Sequence, residues 1–237
     1  MKQLKALISK ELINFFGQPT AYIFAAVFIL VNNFFFFSNF FLNNQASLRN
    51  YFQFFPLTLA FFIPLVTMGA ISGEYKNDTI ETLLSLPLKK SQIVLAKFAA
   101  SIIFFLFALL FTLPVVLIVF LVGKPDIGPI ITSYLASIML VFLYTSIGLF
   151  ASSVTREHLI SLLVGVISLF GLYLCASPIV LEKVPFIGQV ILSIVSPTSH
   201  FDNFAKGLIL IKDIIYFISV SWFFCWLTVQ KIDFEAK

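Results

Sequence analysis

The sequence predicts an all-α, polytopic membrane protein, and three observations carry that prediction. Only 11% of the 237 residues are charged, against about a quarter in soluble domains. Hydrophobic residues make up 60%, with 31 Phe in the chain, and the mean hydropathy is +1.04. The apolar runs are long and unalternated, unlike the strands of roughly ten residues that a membrane barrel requires. In hydrocarbon only helices or a closed barrel satisfy the backbone, so the runs read as helices.

In the leader MKQLKALISKELINFFGQPT, Leu4, Ile8, Leu12 and Phe15 fall at helical spacing with Lys2, Lys5 and Lys10 among them. That pattern predicts an N-terminal amphipathic helix at the membrane interface. Glu11 within its apolar portion, and no small-residue cleavage site, speak against a signal peptide. Six spans follow, at about 21–41, 54–71, 98–122, 130–151, 159–181 and 214–229, each near the roughly 20 residues a crossing needs. Asn43, Asn44 and Gln45 with Arg49 end the first. Residues 123–126 (Gly-Lys-Pro-Asp) separate the third and fourth, and 155–158 (Thr-Arg-Glu-His) the fourth and fifth.

Asn32, Asn33, Ser38 and Asn39 interrupt the first span and are expected to face another helix in preference to a substrate. Pro64, Pro114 and Pro178 predict kinks. Gly148, Ala151, Ser152, Gly165 and Gly171 predict close helix approach.

Two intervals are not spans. GEYKNDTIETLLSLPLKKSQIVLAK, 73–97, is a charged island between apolar blocks. Asp78 with Glu81 three positions on reads as a capping box, and Ile80, Leu83 and Leu84 form an apolar helix face. Pro87 stops that helix, and Ser91 can cap the next one. The product is a short helix shaped for a groove on a partner, or else a capped loop lying on the membrane. The second interval, 184–212, contains PFIGQVILSIV, too short to cross. Thr198 or Ser199 can cap a following helix with Phe201, Phe204 and Leu208 at helical spacing. It reads as an outer re-entrant helical hairpin between spans five and six; a short crossing there would instead invert the C-terminus.

With the N-terminus inside, six spans leave both termini cytoplasmic. The cytoplasmic intervals then hold ten Lys and Arg (2, 5, 10, 76, 89, 90, 97, 156, 231, 237) and the outer ones five (49, 124, 183, 206, 212). This is the bias that orients membrane proteins, and it explains the net charge of +4 without nucleic acid. Residues 1–237 read as a single transmembrane domain.

Several chemistries find no support. The spans contain no acidic pair of the kind an ion-driven carrier keeps. His158 and His200 are far apart with no cluster around them, so no metal site is expected. No GxxxxGK[ST] loop offers an ATP site, and no catalytic triad or cofactor site is expected. Cys175 and Cys225 fall in apolar runs as inert thiols.

At the island the sequence resembles the type-2 permease subunits of ATP-binding cassette transporters. Those carry an acidic residue, Gly-Thr, a Glu two positions later, an apolar pair, a Pro and a Lys heading the third helix. Here the positions read Glu74, Asp78 and Thr79, Glu81, Leu83 and Leu84, Pro87 and Lys97, with Asp78 in place of the glycine. The leader with Lys10, Glu11 and Pro19 is similar to the family's entry helix. Pro197, His200, Phe201, Phe204 and Gly207 resemble its outer re-entrant segment. Among subfamilies the chain looks closest to gliding-motility and nitrous-oxide-reductase copper-accessory permeases.

The resemblance implies a plasma-membrane permease that is not itself an enzyme. It implies a complex of two permease subunits, identical or homologous, with two copies of a cytosolic ABC ATPase, and a place for an auxiliary extracytoplasmic protein. ATPase coupling would fall to Glu74, Thr79, Glu81, Leu83, Leu84 and Pro87, supported by Lys10 and Glu11, driving export. Two other classes fit the same spans: an ATP-independent carrier or channel, and an anchor passing mechanical work without moving solute.

Overall fold

The computed structural model describes residues 2–43, 48–85, 88–123 and 125–235. Every regular element among them is a helix. In chain order these are α1 (Lys2–Phe16), α2 (Pro19–Asn43), α3 (Arg49–Gln53), α4 (Phe55–Thr67), α5 (Ser72–Lys76), α6 (Ile80–Ser85) and α7 (Lys90–Leu110). Then come α8 (Leu113–Val122), α9 (Ile127–Val154), α10 (His158–Leu174), α11 (Pro178–Leu181), α12 (Phe186–Val195), α13 (Pro197–Ala205) and α14 (Ile211–Glu235). Asn44, Gln45, Leu86, Pro87, Lys124 and Lys237 lie outside the described residues, as do the side chains of Asn39, Asn43, Leu84 and Pro178.

Among the described residues, five segments are long and apolar enough to cross a membrane: Pro19–Ser38, Phe55–Lys76, Lys90–Val122, Ile127–Val154 and Ile211–Glu235. The expected fifth span, 159–181, is divided. Its helix α10 ends at Leu174, and α11 starts afresh at Pro178, which has no N–H to continue a ladder and keeps Ser177 from helical angles. Elsewhere the helices outrun their apolar cores, because backbone hydrogen bonding continues into the polar flanks. Pro64 stays inside α4. Pro114 sits at the start of α8, just after a break at Phe111 and Thr112.

The long helix α9 is the central post, with α4, α7, α10, α13 and α14 packed on it. Leu140, Val141, Leu143, Tyr144 and Leu149 are fully buried. Lipid is as apolar as a Leu side chain, so helix association depends on close packing and polar contacts. Gly148 provides the first: a methyl group there would collide with Thr67 Oγ1. Gly165 lies against Pro64, whose Cβ would be 3.0 Å from an added methyl, whereas Gly171 faces open space. Asn32 and Asn33 of α2 face other helices, as expected, whereas Ser38 is exposed and donates to the Phe34 carbonyl of its own helix at 2.7 Å. Asn32 donates to the Phe28 carbonyl at 2.7 Å and accepts from Thr58 Oγ1 at 3.0 Å, and Asn33 accepts from Tyr51 at 3.4 Å.

α9 also sets the distance between two ends of the molecule. Near its start Thr132 Oγ1 donates to the Phe204 carbonyl of α13 at 2.6 Å. Near its end Ser152 meets the α4–α5 junction. Twenty residues separate those contacts, about 30 Å of helix, the thickness of a bilayer's hydrocarbon core.

Candidate coupling site

The site at the Ser152 end starts from α1. Leu7 and Glu11, one turn apart, are both buried, with Leu4, Ile8 and Phe15 partly so. The helix packs on α7 and α2, and its buried face carries a carboxylate. That carboxylate meets Lys97 of α7, which is only 4% exposed. Lys97 Nζ lies 3.1 Å from Glu11 Oε1 and 2.9 Å from Glu74 Oε1 of α5. One ammonium therefore joins the entry helix, the end of the α4–α5 segment and the head of the next long helix. Taking such charges out of water is unfavourable unless they are well paired, so the three segments are held in one register.

Thr79 extends the cluster. Its hydroxyl bonds Glu74 Oε2 and, at 3.4 Å, the Glu74 carbonyl. The turn leading to it differs from the expected capping box. Asp78 follows α5 in a left-handed conformation, φ 54°. The Thr79 N–H bonds the Glu74 carbonyl at 3.0 Å, and the Asp78 N–H bonds that of Tyr75 at 3.3 Å. This paired pattern is a Schellman ending to α5. Thr79, not Asp78, immediately precedes α6, and its carbonyl accepts the first bond of that helix, from Leu83 N at 2.9 Å. Position 78 thus has a backbone conformation that favours glycine.

Leu83 is buried with Leu7, Ile93 and Ala96, and Ile80 packs beside them. The apolar face of α6 therefore rests on α1 and α7 within this chain. Glu81 is exposed and makes no hydrogen bond or ion pair among the described residues. Lys10 is exposed too, its charge felt at Glu74.

Three polar residues that sequence reasoning did not assign here complete the end. Ser152 Oγ accepts from Ile71 N at 3.0 Å and Ser72 N at 3.1 Å, and donates to the Met68 carbonyl at 2.9 Å. It satisfies the backbone where α4 breaks before α5. His158 Nδ1 lies 3.0 Å from Ser72 Oγ, its ring against Gly69 and Gly73. A cavity of about 520 Å³ opens between these elements, lined among others by Glu11, Asn14, Glu74, Lys97, Phe104 and His158.

At the other end α12 and α13 meet at Ser196. That residue precedes Pro197 and so takes the cap position expected of Thr198 or Ser199, but its hydroxyl goes to the Leu172 carbonyl at 3.1 Å. Phe201 and Phe204 are fully buried. Gly207, φ 81°, closes α13 with the same Schellman pair: Leu208 N to the Asn203 carbonyl at 3.0 Å and Gly207 N to that of Phe204 at 2.8 Å. His200 Nδ1 lies 2.6 Å from Asp213 Oδ1 and its Nε2 3.0 Å from the Ile194 carbonyl. Asn203 donates to Asp213 Oδ2 at 2.8 Å, and the His200 ring stacks on Tyr216 at 4.1 Å. Asp213, fully buried, is the partner that sequence reasoning missed; its place in the first turn of α14 was the available signal.

A family model described as ABC-2 family transporter protein matches residues 6–222. The chain therefore belongs to the ABC-2 transporter family and is a multi-pass integral membrane permease. No curated protein matches it.

Proposed function

We propose that this ABC-2 family member is the membrane half of an exporter, driven at the Lys97 end by a separate cytosolic ATPase. The observation that carries the reading is the buried Glu11–Lys97–Glu74 cluster. It fixes α1, α5 and α7 around the root of α6 and leaves Glu81 turned outward. A partner pushing on α6 therefore moves three segments together. Leu83 acts as a positioning residue, seating α6 on α1 and α7, while Glu81 meets the partner. Thr79 holds Glu74, and Lys10 adds charge beside it; Leu84 and Pro87 complete the segment.

The surrounding topology follows the charge bias. His158–Leu174, an apolar helix of 17 residues, serves as the sixth crossing, which places both termini and segment 73–97 in the cytosol of a plasma-membrane protein. The α12–α13 pair then lies on the outer side as the re-entrant element. Two such subunits, identical or homologous, and two ATPase copies form the working unit, with the route between the permeases. ATP drives the change because the ATPase pair binds it more tightly in one conformation than in the other.

The purified chain should retain a nucleotide-binding subunit and stimulate its ATPase activity, and Glu81→Arg should abolish that retention. Undiminished association of Glu81→Arg would remove Glu81 from the interface. Transport of labelled solutes by reconstituted vesicles separates export from transmission of force alone.

A further inference from the structure

Resting on that reading, we infer that α14 is a connecting rod carrying movement of segment 73–97 to the α12–α13 pair. Its last turns hold the segment at both roots. Ile232, 1% exposed, packs with Ile71 and Tyr75 at one root and with Val94 at the other. Asp233 takes Lys90 Nζ, at the first residue of α7, at 2.5 Å. The first turns of α14 hold the other end. Buried Asp213 receives His200 and Asn203, and Phe217 packs on the rings of His200 and Phe204.

Asp213 and Asp233 are twenty positions apart, about 30 Å of helix, with no Pro or Gly in Ile211–Glu235. The other helices leaving the segment are interrupted. α4 contains Pro64 and breaks before α5, and α7 breaks at Phe111 and Thr112. α9 is unbroken but enclosed as the central post. α14 packs its inner face along α9 and turns Ile215, Ile218, Trp222 and Trp226 outward. The lower anchor, at 232–233, lies beyond the 6–222 that the family model matches.

The test uses the intact permease–ATPase complex in vesicles, with Cys175→Ser, Cys225→Ser and Ile209→Cys. Position 209 is exposed between α13 and α14. The rate at which its thiol reacts with a charged maleimide is measured without nucleotide and with ATP plus vanadate. The otherwise unsubstituted complex should show a several-fold difference. Asp233→Lys should bring the ratio to unity while the ATPase still co-purifies, and adding Lys90→Asp should restore it. Trp222→Pro, which bends the rod at a lipid-facing position with both anchors intact, should also bring the ratio to unity; a purely structural anchor predicts no such effect.

A preserved ratio in Asp233→Lys or Trp222→Pro overturns the inference. Loss of the ATPase from Asp233→Lys overturns it as well, by making Asp233 a docking residue. Equal rates in a parent complex that does stimulate its ATPase overturn the rod and leave the coupling reading standing. A parent chain that binds no ATPase takes both down.

Discussion

The two ends of the molecule each bury a carboxylate, and they neutralise it differently. At the inner end one ammonium of α7 serves two carboxylates from two other helices, with sequence separations of 86 and 23 residues. At the outer end Asp213 is satisfied by His200 and Asn203, only 13 and 10 residues away. The two His200 nitrogens lie beside Asp213 Oδ1 and the Ile194 carbonyl, so every partner in this cluster comes from α12, α13 and the start of α14. The outer cluster is thus local, whereas the inner one is long-range and ionic. The difference teaches where tertiary geometry is fixed: the outer cluster shapes one corner, while the inner one cannot form unless three distant segments arrive together.

The sharpest way to break that contrast is Lys97→Met, which leaves buried Glu11 and partly exposed Glu74 without their shared cation. We expect a loss of about 3–5 kcal/mol, read as a lower unfolding temperature in detergent. Adding Glu11→Gln and Glu74→Gln should recover most of it; a triple variant as weak as the single would show that shape, not charge, holds the cluster. Asp213→Ala should come next, at about 2 kcal/mol for lost charge-assisted hydrogen bonds. In limited proteolysis its effect should be confined to the α12–α13 region, whereas Lys97→Met should expose the whole chain.

The paired Schellman turns sharpen the same comparison on a smaller scale. Gly207→Ala forces a methyl-bearing residue into the left-handed region and should lower stability by about 1–2 kcal/mol. Asp78→Gly should have the opposite sign and the smallest size, a slight rise in unfolding temperature, because it relieves the same conformation at the inner end. Equal responses at the two turns would mean that Asp78 is held by contacts of its own.

Five of the six expected spans were legible because hydropathy sums locally over a window as long as the helix it reports. Glu74, Thr79 and Lys97 were legible as positions in a familiar pattern, but not their mutual contact. Asp78 was misread as a cap because Asp serves equally at helix starts and in left-handed turns, and only the bonds from Asp78 N and Thr79 N decide between them. Ser152 was legible as a small residue permitting close helix approach but not as the partner of the α4–α5 break, and His158 and Asp233 gave no local signal. Their partners Ser72 and Lys90 lie 80 or more residues away, and a Ser or a His in an apolar run looks the same whether it caps a break or merely bonds its own helix. The face of α6 was legible as amphipathic; that α1 and α7 would claim its apolar side depends on where α1 folds back.

The Glu11–Lys97 pair also imposes a schedule on biosynthesis. Glu11 leaves the ribosome 86 residues before its cation, roughly 4–17 s at ordinary elongation rates. For that interval the N-terminal helix carries an unmatched carboxylate and must wait at the water-facing boundary while α2 and α4 insert. Emergence of Lys97 is therefore the moment at which the beginning of the chain can be fastened.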